Sequence, residues 1–108
     1  MSVLLRDSDD HLYPVVVGKE GAVSVLTVSN TSIQTSAFAE GVTLVRVAVA
    51  ENSHCHYALG TNPTANTTTC SMIPQNSFLH IAVAPGQKLA FIRGANQDIA
   101  VSVTELLN

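Results

Sequence analysis

The stretch VTLVRVAVA, residues 42–50, places a branched apolar side chain at every second position. Val45, Val47 and Val49 would point to one side of an extended chain, and the residues between them to the other. β-Branched residues also favour strands over helices. The stretch therefore predicts a β-strand with one buried face.

The same two-residue period recurs on both sides of this stretch, and no segment has a convincing helical period. It predicts strands near residues 13–17, 22–28, 32–38, 42–50, 53–59, 69–73, 77–83, 87–93 and 98–106. Strands that recur every 8–12 residues or so are typical of a sandwich or a small barrel. With 108 residues the chain suits one domain. We therefore predict an all-β, antiparallel β-sandwich over residues 13–108, with residues 1–12 as an extended N-terminal arm.

The alternation also predicts which side chains fill the core, because slipping a strand by one residue would expose its whole apolar set. The predicted core consists of Val45, Val47, Val49, Leu79, Ile81, Val83, Leu89, Phe91, Ile99, Val101 and Val103.

Turn residues separate the predicted strands. Pro85-Gly86 matches the two central positions of a type II turn, where proline sets φ and glycine accepts a positive φ. GKEG (18–21) and GANQ (94–97) predict the tips of two hairpins.

The composition of the chain limits the classes of function that we expect. Only 12% of the residues are charged, about half the usual fraction, and the net charge is −3. This predicts no nucleic-acid partner, and the absence of a long apolar run predicts no membrane span. Asp7, Asp9 and Asp10 interrupt the region where a signal peptide is apolar, so we expect no secretion. A surface so poor in charge suggests contact with other protein.

Residues 54–70 contain both cysteines and two histidines, and three interpretations compete: a zinc site, a disulfide-closed hairpin, or ordinary packing. On a strand, His54 and His56 would project to one face, and Cys55 and Tyr57 to the other. Ligands that diverge in this way do not favour a tetrahedral metal site. We predict no metal and no cofactor.

A hairpin centred between Asn62 and Pro63 would place Cys55 opposite Cys70, close enough for a disulfide. Cytosolic thiols stay reduced, however, so we favour two buried free thiols and keep the disulfide as the alternative. The chain shows no nucleophile–base pair, phosphate loop or paired carboxylates, and we predict that it is not an enzyme.

Residues 42–106 resemble a small β protein found among the structural proteins of tailed bacteriophages. The shared elements are Val45-Arg46-Val47, Gly60-Thr61-Asn62-Pro63-Thr64-Ala65, Ser71-Met72-Ile73-Pro74, Pro85-Gly86-Gln87-Lys88, Ala90-Phe91-Ile92 and the closing stretch Val101 to Leu106. The resemblance implies a jelly-roll-like virion protein, a capsid decoration or cement protein that stabilises the head shell by bridging capsid subunits. It supplies no catalytic residues.

The expected partner is thus the major capsid protein on the outer surface of a virion, after synthesis in the host cytoplasm, with a homo-oligomer (dimer or trimer) as the expected form. Leu4, Leu5, Leu12 and Tyr13 are the candidate contacts, because they offer apolar anchors in the arm. The alternatives are a head–tail, tail or fibre-associated β domain, or a glycan-binding sandwich. Glycan binding is the weakest of these hypotheses, because sugar-binding surfaces generally need flat aromatic side chains and the chain has no tryptophan and only two tyrosines.

Overall fold

The computed structural model describes the backbone of residues 5–6, 12–13 and 19–107, and the side chains of residues 21–106. These residues form ten strands and no helix. The strands are β1 (Leu5–Arg6), β2 (Leu12–Tyr13), β3 (Lys19–Val28), β4 (Ile33–Gln34), β5 (Leu44–Val49), β6 (Cys55–Gly60), β7 (Ser71–Ile73), β8 (Ser77–Ala82), β9 (Lys88–Arg93) and β10 (Ile99–Leu107).

Two four-stranded sheets make up the body of the protein. The first has the strand order β3-β10-β5-β8 and the second β4-β9-β6-β7, and all neighbours are antiparallel. The protein is therefore all-β with two antiparallel sheets, as predicted, and the arrangement is compatible with a β-sandwich. The predicted strands from residue 22 onward all have counterparts, although β4 has only two residues.

Both sheets contribute side chains to a single core. Alternate residues of β5 are buried, and Val45 and Val47 are fully inaccessible. Ten of the eleven predicted core residues are buried. Other buried residues were not predicted to lie in the core; they include Leu26, Val28, Phe38, Val42, Cys55, Ile73 and Leu106.

Leu79 is the exception, because 36% of it is exposed. It lies opposite Val47 and so shares the inner face. β8 is nevertheless the edge of the first sheet, and β7, the edge strand of the second sheet that contacts it, has only three residues. The facing sheet is too short there to cover Leu79.

The predicted type II turn is confirmed. Gly86 has a φ of 85°, and the N–H of Gln87 donates to the carbonyl of Ala84 at 3.1 Å. Only glycine accepts this φ without strain.

Both predicted hairpins are wrong. Lys19, Glu20 and Gly21 lie inside β3, which continues to pair with β10 past an irregularity between Thr104 and Leu106. Residues 94–97 connect β9 to β10, but these strands belong to different sheets. Turn residues mark where a strand ends and do not specify which sheet the chain enters next.

Candidate interaction face

The outer faces of the two sheets differ in how they are covered. Residues 61–70 return across the outer face of the second sheet, where the side-chain amide of Gln34 donates to Asn62 Oδ1 at 2.9 Å and to the carbonyl of Pro63 at 2.7 Å. The N–H of Ala65 donates to Ser32 Oγ at 2.9 Å. Ala90 points to this side, opposite Gln34, and is fully buried. The chain itself therefore covers much of this face.

Part of the outer face of the first sheet is accessible, whereas Leu106, which lies opposite Leu44 on this face, is buried. One row of residues in register runs across all four strands, from Val25 through Ser102 and Ala48 to Phe78. The two ends of the row are the most exposed, with 71% of Val25 and 65% of Phe78 accessible. The row carries no charge.

A second row runs beside the first, from Val23 through Thr104 and Arg46 to His80. Val23 is 55% exposed, whereas Thr104 is buried. We call the eight residues of the two rows the open face. Arg46 is the only one of them with a formal charge.

A shallow depression lies at one side of the open face. Its volume is about 320 Å³ and its lining is Arg46, Ala48, Phe78 and His80. The rings of Phe78 and His80 pack edge to face, with centroids 5.7 Å apart. An exposed aromatic ring beside an arginine is the composition that protein interfaces favour.

Sequence reasoning did not identify the open face as a contact surface. The sequence did contain one indication of it. Phe78 and His80 occupy the outward positions of β8, between its core positions, and both have aromatic rings. In β3 both faces carry valine or leucine, so alternation alone could not decide which face was buried.

The predicted candidate contacts lie in the N-terminal region. Leu5 pairs with Tyr13, and Arg6 with Leu12, in a separate two-stranded sheet. Leu4 and the rest of residues 1–12 lie outside the described residues. The role of Leu4, Leu5, Leu12 and Tyr13 as anchors stays a prediction.

His54 and His56 share the outer side of β6, as predicted, while Cys55 and Tyr57 pack toward the core. The two histidine rings are 5.5 Å apart, and His56 Nδ1 lies 2.8 Å from the carbonyl oxygen of Cys70. In the part of the chain that the structure describes, no three His, Cys, Asp or Glu side chains converge as metal ligands.

The two cysteines are free, and Cys55 does not lie opposite Cys70 as the alternative disulfide hairpin would require. Cys55 lies opposite Ile73, so the connection from β6 to β7 is centred later than predicted. The side chain of Asn66 holds a tight turn at this connection, accepting the backbone N–H groups of Thr68 at 3.0 Å and Thr69 at 2.7 Å. This turn moves Cys70 out of register with Cys55.

The two thiols differ in exposure. Cys55 is fully inaccessible, and this burial raises its pKa to about 12. Cys70 is partly exposed, and its sulfur accepts the N–H of Asn66 at 3.4 Å. The expectation that both thiols are shielded is therefore right for Cys55 and wrong for Cys70.

No helix among the described residues has the length and hydropathy needed to cross a membrane. No family model matches the chain, and no curated protein or solved structure is significantly similar to it. The resemblance of residues 42–106 to phage structural proteins therefore stays a prediction.

Proposed function

We propose that the protein is a capsid decoration or cement protein of a bacteriophage, which binds the assembled head shell and bridges its major capsid subunits. The open face is the observation that carries this proposal. It exposes Val23, Val25 and Phe78 on a sheet surface that includes a single charged residue, Arg46. Covering one such side chain contributes about 1.5–3 kcal/mol when burial is complete.

The fold supports the same proposal. The strand orders β3-β10-β5-β8 and β4-β9-β6-β7 make two four-stranded sheets, between which the chain crosses repeatedly. Eight strands in two antiparallel sheets is the arrangement of a jelly roll, which occurs in viral capsid proteins. The resemblance over residues 42–106 adds a virion role to this argument.

Bridging works through multiplicity. A copy that contacts two capsid subunits holds them together, since parting the subunits breaks both interfaces at once. Many modest interfaces on one shell then add through effective concentration. In this proposal the open face makes one contact, and the segment of residues 1–12 makes a second on a neighbouring subunit.

Binding to shells that lack the protein tests the docking surface. Val25→Glu places a charge on the open face, and Met72→Glu places the same charge on the outer side of the second sheet, where Met72 is 53% exposed. We expect at least ~10-fold weaker binding for Val25→Glu, because it removes apolar burial and desolvates a carboxylate. Met72→Glu should bind like the wild type.

Equal binding by the two variants would contradict docking through the open face. A variant that lacks residues 1–12, measured in the same assay, separates the contribution of the arm. No binding by the unmodified protein would remove the decoration role altogether.

A head–tail, tail or fibre-associated protein could use the same face. The copy number per virion, measured by gel densitometry, distinguishes these roles. A decoration protein approaches the abundance of the capsid protein, whereas a connector or tail part is present as a single small ring.

A further inference from the structure

β8, Ser77–Ala82, is an edge strand without the features that usually protect an edge. Its six residues, SFLHIA, include no Lys, Arg, Asp, Glu or Pro. Two other edges are short, since β4 has two residues and β7 has three; β3 carries Lys19 and Glu20 at its start, although its residues 21–28 are uncharged. A long uncharged edge offers unpaired backbone groups to another strand.

We propose that two copies of this chain pair through β8, antiparallel and about a two-fold axis at Leu79, so that their first sheets join into one continuous sheet. The inference deepens the homo-oligomer predicted from the sequence by naming the surface that joins the copies. It does not depend on what the open face binds.

The backbone of β8 determines which groups would bond. The N–H of Val83 donates to the carbonyl of Thr43 at 3.0 Å, toward β5. Because strand residues alternate, the odd-numbered residues of β8 face β5, and Phe78 and His80 present their N–H and C=O groups to the open edge. A two-fold axis at Leu79 sets Phe78 opposite His80 of the second copy. Each such pair exchanges two hydrogen bonds, and the axis generates the pair twice.

The side chains suit the same register. Leu79, which is 36% exposed, would meet Leu79 of the second copy on the inner side of the joined sheet. This is a non-hydrogen-bonded pair, in which side chains approach most closely. On the outer side, the edge-to-face pair of Phe78 and His80 would continue onto the same two rings of the second copy.

Charge does not oppose the pairing. β8 itself carries no formal charge, and the nearest charged residue in its sheet rows is Arg46, one strand away. Three interstrand spacings, about 14 Å, would separate the Arg46 strands of the two copies. This exceeds the Debye length of roughly 8 Å at physiological salt.

Cysteine cross-linking tests the register. In a Cys70→Ser background, Leu79→Cys would bring two thiols together at the axis, where the Cα atoms lie about 4.5 Å apart, and should form a disulfide dimer on oxidation. Phe78→Cys is the matched control on the same strand. Its thiols would be diagonal to each other, about 7–8 Å apart, and should cross-link poorly.

Sedimentation equilibrium tests the backbone bonds without new thiols. His80→Pro removes an N–H that serves no bond within the sheet, and it should raise the dimer dissociation constant at least ~10-fold while thermal unfolding confirms the fold. His80→Ala removes the same ring but keeps the N–H, so it should weaken the dimer clearly less than His80→Pro does.

A protein that is monomeric at all concentrations, or equal cross-linking of Leu79→Cys and Phe78→Cys, would overturn the proposal. If His80→Pro fails to fold, the cross-linking comparison decides. An unmodified protein that stays monomeric yet binds shells would refute the pairing alone, whereas a dimer that does not bind shells would refute the proposed function alone.

Discussion

Replacing valine by alanine at two positions of the same sheet would test which face is buried. Val47 is fully inaccessible in β5, and Val25 is 71% exposed in β3. Both substitutions remove the same atoms from a strand, and the whole range of β propensity, about 1 kcal/mol, is smaller than the difference expected from burial. The difference between the two variants in free energy of unfolding therefore reports burial.

The magnitude follows from the exposure of each residue. Valine to alanine removes the equivalent of two methylenes, worth ~1.6 kcal/mol when fully buried. The cavity left at Val47, roughly 50 Å³, costs about 1.2 kcal/mol more. We expect Val47→Ala to lose about 3 kcal/mol. Val25→Ala loses less than a third of the transfer free energy and leaves no cavity, so we expect about 0.5 kcal/mol.

Urea unfolding followed by circular dichroism is the assay. With a slope near ~1.5 kcal/mol/M, the midpoint should fall by about 2 M for Val47→Ala and by about 0.3 M for Val25→Ala. Unchanged slopes in both variants would show that the two-state treatment holds. Equal midpoints would refute the assignment of Val47 to the core and of Val25 to the open face, and with it the docking surface.

Three further predictions concern residues 54–70 and their neighbours. Thiol titration of the native protein should find one reactive group, Cys70, and two after denaturation; two reactive groups without denaturant would show that Cys55 is not buried. Since burial raises the Cys55 pKa from 9.0 to about 12, the folded state keeps a proton that the unfolded state loses. The resulting stability is complete below pH 9 and is lost as the pH rises toward 12, so Cys55→Ala should show a shallower alkaline loss than the wild type. A Cβ at Gly94 would overlap the ring of His54, which is the far end of a half-buried side chain and can turn away, so Gly94→Ala should destabilise the fold by only about 0.5–1.5 kcal/mol. His54→Ala should rescue most of that loss, and a double-mutant cycle with no coupling would exclude the clash.

Much of the strand layout could be predicted because burial of one face imposes a period of two. β5 shows this most clearly, with Val45, Val47 and Val49 all buried. The connections could not be predicted in the same way. A turn such as residues 94–97 reverses the chain whether the next strand pairs with the last one or enters the other sheet, and only long-range contacts decide between these outcomes.

The register predicted for residues 54–70 was wrong for a related reason. The spacing of Cys55 and Cys70 was counted as a symmetric hairpin, but Asn66 makes four hydrogen bonds to Thr68 and Thr69 and shifts the turn. The open face was missed because its apolar residues look like core residues in a sequence. Val25 and Leu26 are adjacent and both apolar, and only the packed sheets distinguish them.

The position of β10 has a consequence for the synthesis of the protein. β10 lies between β3 and β5 in the first sheet, yet it follows both of them in the sequence. Until residues 99–107 have left the ribosome, β3 has no native neighbour, and β5 lacks one of its two. Nascent chains that stall before Ile99 therefore expose unpaired strand edges, and we expect them to depend on chaperones or to aggregate.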